Sequence, residues 1–379
     1  MTQPPDIHPM KWAEIDHAAL RDNAATFARA MGGGVELMAM VKADGYGHGV
    51  VEAVRAFREG GATRFGVALP GEALELRRAG ITEPVLVAGW AHPAAHRALI
   101  EAGVELTIPD PASVHTVLAA AEQAGKPAQV HLKVDTGMNR QGVRPEDLPA
   151  VLGQVQAAAP HLRLAGLFTH FADADGADPA PTERQHEAFL PVVETVRDVH
   201  PEVLVHCANS AAALRFPHMR YDAVRPGIAL YGYAPPHCPP IELTPAMTVQ
   251  AVVTHVKTVR AGETVGYGRT WRAERDTRVA TIAAGYADGL HRAQSNRGAV
   301  IAGGVRCPIV GVVSMDQATV DISAADGVEV GDAVIIVGGR GAQRLGADEV
   351  AAVEGTISYE VLCAVSARVP RRPAPPSGQ

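Results

Sequence analysis

Short, nearly continuous apolar runs alternate with longer amphipathic stretches through the first two thirds of the chain. The runs fall at 37–43, 64–69, 84–88, 104–108, 130–136, 164–170, 203–209 and 222–225. A strand buried on both faces reads this way, as parallel strands covered by helices do. Between the runs lie stretches with helical spacing of apolar positions, such as 50–59, 73–79, 113–122 and 183–199. Eight strand-then-helix units predict a (β/α)8 barrel over residues 13–240, an α/β fold. A doubly wound open sheet has the same rhythm and differs only in strand order, which one sequence does not display.

The rhythm breaks at 234–243, APPHCPPIEL, where four prolines mark a linker. Beyond it come β-branched runs at 247–259, 278–283, 299–301, 307–313, 318–322 and 333–337, separated by Gly and Asp turns. They predict a mostly-β C-terminal domain over 241–379, with residues 1–12 associated with it. The final segment 368–379, RVPRRPAPPSGQ, is Pro-rich and is expected to fray.

Composition narrows the class. The 379 residues are 47% hydrophobic and 20% charged, too apolar for a disordered chain. No apolar run reaches the ~18 residues a membrane span needs. A formal net charge of −7 without a basic tract speaks against nucleic-acid binding. Cys207, Cys238, Cys307 and Cys363 are far apart, which disfavours a disulfide scaffold or a cysteine zinc site and fits a reducing compartment. The N-terminus lacks the pattern of a signal peptide, so a cytoplasmic location is expected. No metal is expected.

Barrel chemistry sits at the C-terminal ends of the strands. The first run ends Met38-Ala39-Met40-Val41-Lys42. A lysine desolvated at a strand end has a lowered pKa and a nucleophilic amine suited to an aldehyde; taken alone, a lysine snorkelling to water explains it as well. After runs seven and eight come Ser210 and Gly227, placed to hold a phosphate at the usual barrel position. An N-cap and a turn glycine is the alternative. Lysine and phosphate cradle in one mouth point to pyridoxal phosphate.

The residues then become recognisable. The stretch Val41-Lys42-Ala43-Asp44-Gly45-Tyr46-Gly47-His48-Gly49 resembles the cofactor-attachment motif of the alanine racemases, fold-type III pyridoxal-phosphate enzymes. The resemblance runs on through blocks starting at Trp12, His131, Ala208, Val224, Gly266, Gly285, Ser314 and Ser358. It implies an isomerase that interconverts L- and D-alanine, acts as a homodimer and supplies D-alanine for peptidoglycan. Lys42 would bind pyridoxal 5'-phosphate and act as one base; Tyr267 of the partner subunit would be the other. Two bases on opposite cofactor faces invert the α-carbon, and each needs a lowered pKa. Arg225 would face the pyridine nitrogen; a guanidinium holds its proton, so the ring is a weaker electron sink than with a carboxylate partner. His170 would link Arg225 to the tyrosine. Arg140 would bind the substrate carboxylate, and Lys133 matches a lysine often carbamylated. Tyr46, Ser210, Gly227, Ile228 and Tyr359 match the phosphate shell. Met315 matches a partner-chain contact to the substrate carboxylate, and Tyr286 and Asp316 match positions that line the substrate entrance.

Ser314 departs from the family's common cysteine. Arg269, two residues after Tyr267, would share its face in an extended segment but reads more simply as a solvent residue. Rivals are a racemase of another amino acid, a decarboxylase, which Arg225 disfavours, and a non-catalytic cofactor carrier, which would lack residues 244–379.

Overall fold

The structure is a computed structural model that describes residues 9–375. It divides into two compact units. One comprises residues 18–45 and 49–244; the other comprises residues 46–48, the described residues up to His17 and those from Pro245 on.

The first unit carries eight parallel strands: Glu36–Met40, Arg64–Val67, Val85–Val87, Glu105–Ile108, Ala128–Lys133, Leu162–Phe168, Leu204–His206 and Ala223–Val224. They are called barrel strands one to eight. Each pairs with its sequence neighbour from one to seven, and strand eight returns to strand one through Glu36↔Ala223. The ring closes between strands seven and eight through the parallel bridge Asn209↔Arg225. This consecutive order is that of a nearly closed barrel and excludes the doubly wound sheet.

Burial explains the strands: Val85, Leu86 and Val87 are all buried, as are Phe65, Gly66 and Val67. The strands stop earlier than their apolar runs suggest. Strand one ends at Met40 and strand six at Phe168. The helix Val50–Glu59 keeps its expected bounds, whereas those expected at 73–79, 113–122 and 183–199 start earlier, at Pro70, Pro111 and Ala180. Pro70, Pro93 and Pro111 open the helices Pro70–Arg78, Pro93–Glu101 and Pro111–Ala124. Proline suits the first helical position, where its missing N–H costs nothing. Asp110 caps the last of these by accepting from Ser113 N, and Gly125 ends it in the left-handed region. The helix His17–Met31 was not foreseen; it buries Leu20, Ala24, Phe27 and Met31 along one stripe.

In the second unit the strand Met247–Val259 is the spine. It pairs antiparallel with Lys11–Ile15 and Ala333–Val337 in its first half. After a register shift between Val253 and His255 it pairs with Thr277–Ile282. Its burial alternates through Val253, so one face is buried there. Val259, Val265, Ala273, Val279 and Val310 form a core cluster against which Trp271 packs. The C-terminal segment is a correction: Arg371–Pro373 does not fray but lies parallel to Lys11–Ile15, with Ala13 opposite Arg371. Two helices, Ala347–Glu354 and Ser358–Cys363, also enter this unit. Residues 1–8 of the expected N-terminal association and 376–379 of the expected frayed end lie outside the described residues. Among the described residues, no helix is long and apolar enough to cross a membrane.

Candidate active site

At the C-terminal end of the barrel strands lies a cavity of about 210 Å³. Lys42, Lys133, Arg140, His170 and Arg225 line it together with Met40 and Phe168, and no carboxylate is among the lining residues. Four side chains that are cationic at neutral pH thus converge, which favours anionic ligands.

Lys42 is exposed at this mouth, not desolvated as the strand-end reading expected, because strand one ends two residues before it. The chain then makes a left-handed turn, with φ of 53° at Ala43, 53° at Asp44, 60° at Gly45 and 51° at Tyr46. Left-handed backbone costs roughly 1–2 kcal/mol for each non-glycine residue. Specific bonds hold it: Glu72 Oε1 accepts from Ala43 N at 2.6 Å, and Asp44 Oδ1 accepts from Val50 N at 2.8 Å.

Arg225 is buried on strand eight's exit. Its Nη1 donates to His206 Nδ1 and to His206 O, both at 2.7 Å; Nη2 donates to Thr169 O at 2.8 Å and to His170 Nδ1 at 3.1 Å. Among the described residues Nε has no protein acceptor. Burial lowers the Arg225 pKa to about 10, and the group stays protonated at neutral pH. A guanidinium only donates, so the ring protons behind it are fixed. His206 accepts on Nδ1, carries its proton on Nε2 and donates to His131 Nδ1 at 2.9 Å. His131 then carries its proton on Nε2 and donates to Glu105 Oε2 at 3.0 Å. Arg64 donates to Glu105 Oε1 from the other side at 3.1 Å. Burial, Arg225 and His131 hold the His206 pKa well below its ordinary value, so the ring is neutral. Burial raises the Glu105 pKa, but His131 beside it, by hydrogen bond and charge, and then Arg64 outweigh this and bring it to about 2. Phe168 stacks on His206 at 4.9 Å with rings 12° apart, and the Arg225 guanidinium lies over the Phe168 ring at 5.2 Å from its centroid.

His170 accepts from Arg225 on Nδ1, which leaves its proton on Nε2. Burial and then the charges of Arg225, Arg140, Lys133 and Lys42 keep it neutral. Gln185 holds the loop after His170, donating to His170 O at 3.2 Å and accepting from Ala172 N at 2.8 Å.

Lys133 points into the barrel and is buried, with Nζ 5.6 Å from the Phe168 centroid. Burial, then Arg140 and Arg225, lower its pKa to about 8. Arg140 sits on a loop organised by Asp135, whose carboxylate accepts from the N–H groups of Gly137, Asn139 and Arg140 at 2.9–3.1 Å. On the neighbouring exits, Ser210 Oγ accepts from Gly227 N at 2.9 Å, and Ile228 begins a short turn. Asn209, not Ser210, is the cap of the helix Ser210–Arg215.

The second unit carries the other candidates. Tyr46 and Tyr359 face each other with ring centroids 6.0 Å apart, and burial pushes the Tyr46 hydroxyl pKa up. Tyr267 is 73% exposed, which rules out a core role. It opens a short turn that ends at Arg269, itself exposed as the simpler reading had it; the segment is not extended. Tyr286 and Met315 are also exposed and share a backbone crossing: Tyr286 N donates to Ser314 O and Ala287 N to Met315 O, both at 3.0 Å. Gly285 permits it, since a Cβ there would run into Ser314 O and Met315 O. Buried Asp288 pins the tip, accepting from Gly285 N at 3.1 Å and Lys11 Nζ at 2.6 Å. Arg368 reaches Asp288 Oδ1 at 3.5 Å and Asp316 Oδ1 at 2.7 Å.

Sequence reasoning thus missed Glu105, His131 and His206 behind Arg225, and Asp288 and Arg368 behind the exposed tip. A signal existed: His131 and Lys133 are polar residues two apart in an apolar strand, which places them on one face.

Residues 15–235 match the family described as "Alanine racemase, N-terminal domain", and residues 246–373 match "Alanine racemase, C-terminal domain". The alanine racemase of Desulforamulus reducens is 42% identical over 364 residues, which cover 95% of this chain and 98% of that one. That of Methanococcus maripaludis is 38% identical over 368 residues, 96% of this chain and 98% of its own. A crystal structure of the Bacillus anthracis alanine racemase with bound L-Ala-P matches with a TM-score of 0.91 and 36% identity, over 100% of this chain and 97% of that one. The enzyme from D-cycloserine-producing Streptomyces lavendulae matches with a TM-score of 0.91, also at 36% identity, over 98% of each chain.

Proposed function

The chain belongs to the alanine racemase family, and on that premise we propose that it interconverts L- and D-alanine with pyridoxal 5'-phosphate and two bases, Lys42 and Tyr267 of the partner subunit. The observation that carries this reading is the acid-free cationic cavity with a lysine at its mouth and a guanidinium locked behind it. The donor set fits the cofactor. Ser210 Oγ already accepts from Gly227 N, so its O–H is left to donate to a phosphate. Arg225 has committed both terminal nitrogens, which leaves Nε–H for the pyridine nitrogen. Tyr46, Gly227, Ile228 and Tyr359 would complete the phosphate shell.

The bound cofactor supplies the electron sink that makes the α-proton of alanine removable. This chain's residues then decide the outcome. Lys42 Nζ would hold the cofactor and exchange a proton on one face; the partner subunit's Tyr267 hydroxyl would do so on the other. Protonated Arg225 cannot give its proton to the ring nitrogen, which keeps the sink weak and favours simple return of a proton. His170, with Nε2–H fixed by Arg225, is set to donate toward the tyrosine oxygen and favour its ionised form. Arg140 would take the substrate carboxylate as a fork of donors. Lys133, its pKa lowered to about 8, is mostly protonated at neutral pH but has a larger neutral fraction than a free lysine; that fraction would add CO2 with loss of a proton, and the resulting carbamate would pair with Arg140.

We assign most of the cofactor site to the first unit, residues 18–45 and 49–244 where 13–240 was expected, and the reach to a second subunit to the second unit, which takes the strand Lys11–Ile15 and the residues from Pro245 on. The exposure of Tyr267, Tyr286 and Met315 supports that homodimer, since large side chains gain from a partner that covers them. A cytoplasmic location belongs to the same proposal. The test is racemisation of both alanine enantiomers and of a panel of other amino acids. Tyr267→Ala should lose most activity while retaining the visible absorbance of the bound cofactor. Full activity in that variant refutes the two-base assignment; equal rates on serine or lysine refute the substrate.

A further inference from the structure

Away from the cationic mouth, the first unit holds a second cluster with the chemistry of a metal site. Glu183 and His186 stand three residues apart on the helix Ala180–Val199, and so on one face of its first two turns. His218 comes from the short turn Pro217–Met219, which follows the helix Ser210–Arg215. One donor atom from each of the three lies within 4.8 Å of the donor atoms of the other two. None of them lines the mouth cavity.

We infer that Glu183, His186 and His218 form a binding site for a divalent transition-metal ion of the zinc type, with water in the fourth position. Two imidazoles and one carboxylate are a ligand set that zinc accepts, and imidazole nitrogen excludes calcium and magnesium as the preferred occupants. The cysteines play no part, which is why cysteine spacing could not reveal the site. The geometry lies close to what is needed. Ligands ~2.1 Å from a tetrahedral ion stand roughly 3.4 Å from one another. His218 Nε2 and Glu183 Oε2 are already 3.2 Å apart. The remaining pairs close by at most about 1.4 Å from their 4.8 Å limit.

The three residues also differ in the way a built site requires. His186 is buried and fixed: its Nε2 meets the Tyr221 hydroxyl at 2.8 Å, and its ring packs edge-on to His218 at 5.2 Å between centroids. A hydrogen bond on one ring nitrogen orients the other toward a metal. Glu183 is half-buried and His218 exposed, so these two have freedom to close on an ion. A bound ion would clip the start of the helix after barrel strand six to the segment after strand seven. Gln185, between the two helical ligands, is the residue that holds the His170 loop.

The experiment uses the holoenzyme, stripped with a chelator and dialysed against low-micromolar zinc chloride, with bound metal counted per chain by elemental mass spectrometry. Cobalt(II) replaces zinc for a visible spectrum. His218→Ala and Glu183→Gln are measured beside the wild type, and their racemase activity reports that they fold. The expected result is one zinc per wild-type chain, an intense cobalt band of low coordination number, and at least tenfold weaker binding in either variant. Two results overturn the site: wild-type chain that binds no zinc, or zinc that binds wild type and both variants equally. A plain Glu183–His218 ion pair gives the first of these.

Discussion

Replacing Glu105 with Gln tests the buried chain behind Arg225 most directly. The carboxylate accepts from His131 and from Arg64 and sits at about 2 instead of 4.5. That difference, ~2.5 units at about 1.36 kcal/mol each, corresponds to about 3 kcal/mol of folding stability at neutral pH. The shift is downward. The contribution is therefore complete above pH 4.5 and is lost as the pH falls from there toward 2. At pH 3.5 about 1.4 kcal/mol of it has gone. Glutamine is isosteric, and its carbonyl still accepts from His131 Nε2, but it leaves Arg64 without its buried charge partner. Urea unfolding at pH 7, 5 and 3.5 should thus find Glu105→Gln less stable by about 3 kcal/mol at neutral pH, with the gap roughly halved at pH 3.5. The hydrogens on His131 and His206 keep their places, so racemisation should fall much less than stability. A gap that stays constant across these pH values, or no gap at all, refutes the assignment of Glu105 as the ionised end of the chain.

Other outcomes follow from the same geometry. Lys42→Ala should abolish racemisation and the visible absorbance of lysine-bound cofactor together, measured by optical rotation and absorption spectroscopy. Gly166→Ala should destabilise the chain by about 3 kcal/mol, because a Cβ there would run into His131 Nδ1; thermal unfolding reads this. Intact mass spectrometry should find one extra carboxyl group at Lys133 that disappears on acidification, and Lys133→Met should raise KM for alanine more than it lowers kcat. Asp288→Asn should cost about 3 kcal/mol by leaving the Lys11 ammonium without its buried partner, and should weaken activity through the loosened Tyr286 tip.

The barrel was legible because its strands are buried on both faces. Val85–Val87 could hardly be read otherwise, and the spine Met247–Val259 showed its full length in β-branched residues. What the sequence concealed is of three kinds. The left-handed turn starts at Ala43, an apolar residue with no local preference for it, so the apolar run reads on through 43. The return strand Arg371–Pro373 reads as frayed because proline is poor in strands; among the described residues it lies outermost in its sheet and pairs only with Lys11–Ile15, where a missing N–H is tolerated. Finally, Glu105, His131 and His206 come from three different strands. Each looks like one odd polar residue in an apolar run, and only the register between strands four, five and seven brings them into line.

That line has a consequence beyond holding Arg225 in place. A row of hydrogen bonds between equivalent ends can point either way, as in ice, and the two senses exchange when protons hop. Here one end is a group that can only give and the other a group that can only receive, so the row from Arg225 to Glu105 has a single arrangement. It carries no disorder to freeze out and offers no path along which a proton could leave the mouth. The barrel's interior is in this sense an insulator: protons do not pass along that row from Arg225 to Glu105.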